Sequence, residues 1–154
     1  MFNNFLILIF VYSLSLSVFT QDKTKTPWEI GSYYPAWEKL KPAKAQRHEY
    51  RKGASAENNG ESLKKAVLRL KAGDRLVVDP GKYEINDFFD ICLVGTAKSP
   101  IWLEANPAGK VILTRKDKEQ NVINIGQSSS CKYFYLGGFE IVGGSSLLKL
   151  GDCE

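Results

Sequence analysis

The feature that most restricts the fold of this chain is a set of short apolar segments that recur at a nearly fixed interval. Residues 70–85, LKAGDRLVVDPGKYEI, contain the basic unit, in which Leu76–Val78 lies between a Gly-Asp turn and a Pro-Gly turn. A run this short, enclosed by turn residues, favours a strand over a helix. Four such segments start 25, 22 and 25 residues apart, and they are Leu76–Val78, Ile101–Leu103, Ile123–Ile125 and Leu148–Leu150.

This interval is typical of a solenoid, in which each coil buries its apolar face against the next. We therefore predict a mostly β protein with the fold of a parallel β-helix, in which the four segments stack as neighbouring parallel strands. A second column of strands is predicted at Tyr83–Ile85, Val111–Leu113 and Phe134–Leu136. Alternation along the strands predicts that these side chains point inward: Leu76, Val78, Ile101, Leu103, Ile123, Ile125, Leu148 and Leu150.

An amphipathic helix is predicted immediately before the first coil, at Glu61–Leu70. Its apolar residues fall at i, i+3, i+4 and i+7, and they are Leu63, Ala66, Val67 and Leu70. Asn59 and Gly60 are expected to begin this helix and Gly73 to end it. Because a solenoid needs a cover for its first coil, we predict that this is a capping helix. Residues 53–60 are predicted as a turn-rich link, and residues 48–51 as a first short strand.

The first twenty residues contain no charged side chain, and their apolar core is too short for a typical membrane span. Residues 1–20 are therefore predicted to be a secretory signal peptide, and the protein to be secreted and extracellular. The segment before this core lacks Lys and Arg, so an uncleaved, membrane-anchoring signal is the alternative. Residues 21–46 read as an irregular, aromatic-rich leader, and residues 47–154 as the cap and first coils.

Three cysteines, Cys92, Cys131 and Cys153, lie in the expected mature chain. In an exported protein, this odd number predicts one disulfide and one unpaired thiol. Their spacing does not match a zinc site, and a Cys131–Cys153 bridge is one pairing that the sequence leaves open. The net charge of +4 is too small to identify a partner, and no nucleic-acid-binding signature is present.

Three strings in the chain resemble the N-terminal block of the chondroitinase-B and alginate-lyase family: LKKAVLRLKAGDRLVVDPGKYEI, GTAKSPIWLEANPAGKVILT and KYFYLGGFEIVGG. The shared features are the helix that ends in a Gly-Asp turn, the Pro-Gly-Lys-Tyr corner, the Gly-Thr…Pro-Ile corner that enters Ile101 and the Leu-Gly-Gly-Phe step at Leu136–Phe139. Members of this family are secreted, pectin-lyase-like enzymes that cleave acidic polysaccharides by β-elimination. The resemblance covers roughly residues 47–151, and it implies a right-handed parallel β-helix that is truncated after about three coils.

In this family, a calcium ion neutralises the uronate carboxylate, and a lysine and an arginine act at the reacting atoms. These groups lie on coils beyond the region of resemblance, so it assigns no catalytic residue and no cofactor to this chain; calcium is expected in longer relatives. The resemblance implies an N-terminal fragment of such a protein that is inactive alone. The alternatives are a non-catalytic extracellular module that binds glycan or a surface partner, and a truncated product with no stable role of its own.

A cluster of charged residues at 115–119 contains the candidate glycan-binding residues Arg115, Lys116 and Lys118. An acidic polysaccharide would be their partner, and an ordinary solvated corner is the competing interpretation. The histidine at position 48 has no nucleophile motif beside it and is expected at the surface or at the edge of the cap. Self-association through the last apolar strand is a further expectation, since exposed strand edges pair readily.

We predict that the secreted protein begins near Val18 or Gln21. Cleavage after Ser17 or Thr20 would follow the apolar core and leave a small residue at the cut. N-terminal sequencing of protein recovered outside the producing cells measures this position. An intact Met1 on a membrane-bound chain would contradict the prediction and support the anchored alternative.

Overall fold

The computed structural model describes residues 36–153, so the predicted signal peptide and residues 21–35 of the leader lie outside the described residues. Within the described range, no helix combines the length and the apolar character that crossing a membrane requires. The described elements, in chain order, are a 3-10 helix (Ala36–Leu40), β1 (Gln46–His48), α1 (Ala56–Val67), β2 (Arg75–Val78), β3 (Gly81–Glu84), β4 (Asp90–Ile91), β5 (Ile101–Ala105), β6 (Val111–Arg115), β7 (Ile123–Ile125), β8 (Phe134–Gly137), β9 (Phe139–Gly143) and β10 (Leu148–Leu150).

The strands form three parallel sheets, and successive strands along the chain join the three sheets in a repeating order. Strands β2 to β10 divide into three triplets, β2–β4, β5–β7 and β8–β10, and each triplet places one strand in each sheet. Sheet A has the order β1-β2-β5-β8, sheet B the order β3-β6-β9, and sheet C the order β4-β7-β10. Each pairing between these strands is parallel. The protein is therefore mostly β with parallel sheets, an arrangement compatible with the predicted solenoid.

The predicted single stack of four segments is wrong in its assignment to sheets. Leu76 pairs with Leu103 in sheet A, and Ile123 pairs with Leu148, but in sheet C. The segment at Phe134–Gly137 joins sheet A beside β5, so it does not continue the predicted second column. The error has one cause: each triplet contains three strands, whereas the sequence suggested two strands per repeat. The short strand β4 and the strand β9 supply the members that the prediction lacked.

The core lies between the sheets and contains most of the side chains predicted to point inward. Six of the eight are buried, and they are Leu76, Val78, Ile101, Leu103, Ile123 and Ile125. The other two are not: Leu148 is 37% exposed and Leu150 is 64% exposed. Both lie on β10, the edge strand of sheet C, so nothing in the described part of the chain covers them.

The predicted amphipathic helix is present, but it runs over Ala56–Val67, so it begins and ends earlier than the predicted Glu61–Leu70, and Gly73 does not end it. The Ser55 hydroxyl caps α1 by accepting a hydrogen bond from the backbone N–H of Asn58 at 3.1 Å. Asn59 and Gly60 therefore lie inside the helix, and residues 56–60 are not the predicted link. The prediction that Leu63, Val67 and Leu70 are buried is confirmed, and α1 packs mainly against β3. The first strand is also displaced and runs over Gln46–His48.

Gly60 explains how α1 approaches β3 so closely. A Cβ atom at this position would overlap the backbone carbonyl of Glu84 at the end of β3. The preceding residue, Asn59, is 1% exposed, and its side chain bonds the backbone of Arg51 in both directions, as donor and as acceptor. Helix-disfavouring residues thus sit in the helix because tertiary contacts require them.

We predict that Gly60→Ala destabilises the protein, although the same change in an exposed helix stabilises it by about 1 kcal/mol. The added methyl group would force α1 away from β3, and such overpacking costs roughly 1–3 kcal/mol. Asn58→Ala is the matched control, since Asn58 is exposed in the same helix and keeps its capping backbone N–H. Urea denaturation of the two variants measures the difference. A Gly60→Ala protein as stable as Asn58→Ala would contradict this packing.

Candidate functional site

The candidate site is a surface pocket where α1, the segment after β3 and the loop after β6 meet, which we call the acidic corner. Glu57, Lys64, Glu84 and Asp87 line this pocket of about 200 Å³. The helix supplies Glu57 and Lys64, β3 ends with Glu84, and Asp87 follows it. Lys116, from the loop after β6, reaches two of these carboxylates, those of Glu57 and Glu84. The corner therefore joins the helix to two neighbouring triplets.

Lys116 connects two carboxylates that belong to different elements. Its Nζ lies 3.0 Å from Glu57 Oε1 and 2.9 Å from Glu84 Oε1. Glu84 is only 4% exposed, whereas the Lys116 side chain is 73% exposed. A buried carboxylate without a partner would be costly, so the ammonium compensates for the burial of Glu84. The hydrogen bonds that the Lys116 ammonium donates to Glu84 and Glu57 raise the pKa of Lys116 above its ordinary value.

Glu57 lies in the first turn of α1, where a carboxylate is favoured. Its own backbone N–H, the Lys116 ammonium and the Ser55 hydroxyl lower the pKa of Glu57 to about 2. A general base works best with a pKa near the operating pH. Glu57 is therefore a poor general base, and the corner is organised as an ion-pair network.

Arg115 lies beneath the acidic corner and connects two segments of the chain through hydrogen bonds. Its side chain is 6% exposed, and its guanidinium donates hydrogen bonds to the backbone carbonyls of Asn86 and Asp87, each at 3.0 Å, and of Asn121 at 3.3 Å. These bonds join the segment after β3 to the segment that precedes β7. The Nε atom of Arg115 is buried without a hydrogen-bond partner. Arg115 is thus part of the protein's internal support.

The three candidate glycan-binding residues have different surroundings. Arg115 is buried, Lys116 is paired with two glutamates, and Lys118 is exposed. The three residues are close together in the sequence, at the end of β6 and in the loop that follows it. The sequence did not indicate that carboxylates from α1 and β3 approach this loop. Tyr83 and Glu84 are consecutive in β3 and both are buried, so alternation along this strand would not have indicated the burial of Glu84. Glycan binding stays a prediction, and Lys118 is the residue best placed for it.

The acidic corner does not fit a calcium ion. Across residues 36–153, no group of three or more His, Cys, Asp or Glu side chains is placed to hold a metal. Calcium prefers six to eight oxygen ligands. Here Lys116 already neutralises Glu57 and Glu84, and Lys64 approaches Asp87 at 3.8 Å. We therefore derive no chemical step through a metal at this corner.

A second polar cluster lies on sheet A and contains aromatic rings. Trp102 and Tyr135 occupy register-paired positions and stack with their ring centroids 3.9 Å apart. Glu104 accepts hydrogen bonds from Arg75 and from the Trp102 indole, and Lys41 pairs with it at 2.5 Å. Burial opposes ionisation, but Lys41 and Arg75 together lower the pKa of Glu104. Because Trp102 is 2% exposed, it offers no open platform for a sugar ring.

His48 lies on β1, an edge strand of sheet A. Its ring is 6.0 Å from that of Tyr83, and its Nε2 atom is buried without a hydrogen-bond partner. Burial and the nearby Arg51 charge lower the pKa of His48. These surroundings favour the neutral imidazole and suit a packing role.

No protein-family model, curated protein or solved structure matches the chain. The resemblance to acidic-polysaccharide lyases therefore stays a prediction that is based on the three quoted sequence strings.

We predict that acid weakens the attachment of α1 through Glu57. Because the folded-state pKa is about 2, below the ordinary value of 4.5, the contribution of Glu57 to stability is complete above about pH 4.5. It is lost as the pH falls from there toward 2. The free energy of unfolding of Glu57→Gln should therefore lie below that of the parent at pH 7, and the difference should become smaller as the pH falls to 2.5.

Denaturant titrations at the two pH values measure this convergence. Glu61→Gln is the matched control, since Glu61 is on the same helix and pairs with Lys65 at 3.3 Å on the exposed surface. A Glu57→Gln difference that stays constant between pH 7 and pH 2.5 would contradict the proposed contact with Lys116.

Proposed function

We propose that this chain forms the N-terminal cap and first coils of an exported, right-handed parallel β-helix of the acidic-polysaccharide-lyase type. Its own role in this proposal is structural. It closes one end of the β-helix and provides the first coils, while the elimination chemistry belongs to residues outside the described range. The rotation of successive strands through three parallel sheets is the observation that supports the proposal most directly.

The handedness follows from a general rule for parallel strands. Each return of the chain to the same sheet is a crossover between parallel strands, and such connections are right-handed in about 98% of cases. Sheets A, B and C each receive a strand from every triplet, so this rule applies to each step along the chain. We accordingly assign the right-handed form, with one triplet per coil.

The placement of α1 and β1 supports the capping role. β1 pairs with β2 at the start of sheet A, and α1 buries Leu63 and Val67 against the first triplet. Both elements precede the strands that they cover. A solenoid requires such an element to hide the apolar interior of its first coil.

The charges at the acidic corner support a non-catalytic assignment for this part of the chain. β-Elimination requires a group that neutralises the substrate carboxylate and a base that removes the adjacent proton. The positive charge of Lys116 is neutralised by two glutamates, and the guanidinium of Arg115 is turned into the protein. We therefore expect neither residue to contact a uronate substrate.

The purified chain should show no lyase activity on chondroitin, dermatan, alginate or pectate, with or without calcium. The absorbance of the unsaturated sugar product measures this reaction directly. A known lyase added to parallel samples confirms that each substrate is competent. A steady, calcium-dependent rise from homogeneous protein would overturn the structural assignment.

Glycan binding without catalysis is the second candidate, and the exposure of Lys118 is the observation that favours it. Retention on immobilised alginate or chondroitin sulfate should decrease as salt increases, because exposed charges are screened. Lys118→Gln should weaken binding by roughly threefold, the effect expected of one exposed charge pair. Lys52→Gln, an exposed change in the segment before α1, is the control. Equal retention of both variants would exclude Lys118 as a contact.

A further inference from the structure

Two thiols lie side by side on consecutive passes of the chain. Cys131 precedes β8 and Cys153 follows β10, and the two residues are direct partners in a parallel bridge. The backbone N–H of Cys131 donates to the carbonyl of Asp152 at 2.9 Å. Paired strands lie about 4.8 Å apart, which is within the range of about 4.4–6.8 Å between the Cα atoms of a disulfide. The backbone therefore already holds the two cysteines at bonding separation.

The third cysteine, Cys92, is not in register with this pair, although it lies close enough to raise the pKa of Cys131. Val94 pairs with Lys132, and the Lys132 N–H donates to the Leu93 carbonyl, so Leu93 lies next to Cys131 in the same column. Leu93 and Cys131 both belong to the buried core. Because side chains alternate along an extended chain, Cys92 faces the opposite side. Its Sγ lies 3.3 Å from the Asp90 carboxylate.

We propose that Cys131 and Cys153 form a disulfide when the protein meets a small-molecule or protein disulfide. The Cys153 thiolate attacks the oxidant, forms a mixed disulfide and releases one thiol. The Cys131 thiolate then attacks the Cys153 sulfur and releases the second thiol. The two cysteines lose two electrons and two protons in total, and the oxidant is reduced to two thiols.

The different surroundings of the two thiols set this order of attack. Cys153 is exposed, so an oxidant can reach it, whereas Cys131 is 3% exposed. Burial is the main cause that raises the pKa of Cys131, and the neighbouring Cys153, Cys92 and Asp90 raise it further. The thiolate is the attacking form, so Cys131 suits the second, intramolecular step. The Cys153 thiol lies 3.4 Å from the Ile125 carbonyl, beside the chain that it would be joined to.

The bond would join the segment after β10 to the segment before β8. Sheet C has β10 at its edge, where Leu150 is 64% exposed. The crosslink would close a loop of about 20 residues that contains β8, β9 and β10, and loops of this length gain stability mainly because the unfolded chain is restricted. Oxidation would thus stabilise the least covered part of the described structure.

The experiment incubates the folded full chain with oxidised glutathione, blocks the remaining thiols in denaturant and maps the tryptic peptides. Cleavage after lysine separates the cysteines into peptides 83–98, 119–132 and 150–154. The expected product is a linked pair of peptides 119–132 and 150–154, with Cys92 blocked in peptide 83–98. Cys92→Ser should give the same linked pair. The midpoint of thermal unfolding should rise by roughly 10 °C on oxidation and return with reductant.

Variants that remove either partner complete the test. Cys153→Ser and Cys131→Ser should both lose the linked peptides and the reversible thermal shift, with circular dichroism reporting whether each variant is folded. Peptide mapping of the parent chain decides the pairing even if Cys131→Ser does not fold. A link that includes Cys92, a dimer joined through Cys153, or three blocked thiols after oxidation would each overturn the proposal.

Discussion

Parallel backbone pairing between successive triplets is the interaction on which the other features of this protein depend. Each sheet takes one strand from each triplet, so every triplet is held to the next by hydrogen bonds on three sides. Apolar side chains at matched register positions, such as Leu76, Leu103 and Leu136 in sheet A, then meet in continuous columns. Burial of these columns supplies the apolar contribution to stability, and the backbone register decides which residues share it.

At the corners between the strands, backbone N–H and C=O groups lie outside the sheets and therefore need other hydrogen-bond partners. At one corner, the Arg115 guanidinium donates hydrogen bonds to three backbone carbonyl groups. At the surface of the same corner, the Lys116 ammonium compensates for the burial of the Glu84 carboxylate. These two basic residues therefore serve the packing of α1 and the first two triplets. A positively charged segment in a repetitive β protein can thus be part of the internal support, although its sequence resembles a binding loop.

The sequence predicted features that depend on local pattern, and it failed where distant segments decide the outcome. The apolar face of the helix, with Leu63 and Val67, followed from helical spacing and is buried as predicted. The sheet that contains Ile123 did not follow, because a short apolar strand has the same pattern in any of the three sheets. The partnership of Lys116 with Glu84 was also missed, since the two residues lie on different triplets and no nearby residue indicates the contact.

The closeness of α1 to β3 at Gly60 has a consequence for the evolution of this region. Substitution at that position is restricted by the backbone of another element, while the neighbouring Asn58 is exposed and unrestricted by such contact. A glycine in the middle of a helix weakens it as an isolated segment. The helix is therefore expected to be weakly formed until the first triplet is present, so that α1 and the first triplet assemble as one cooperative unit. A copy of α1 or of the first triplet that is inserted into another protein would need the other of the two in order to fold.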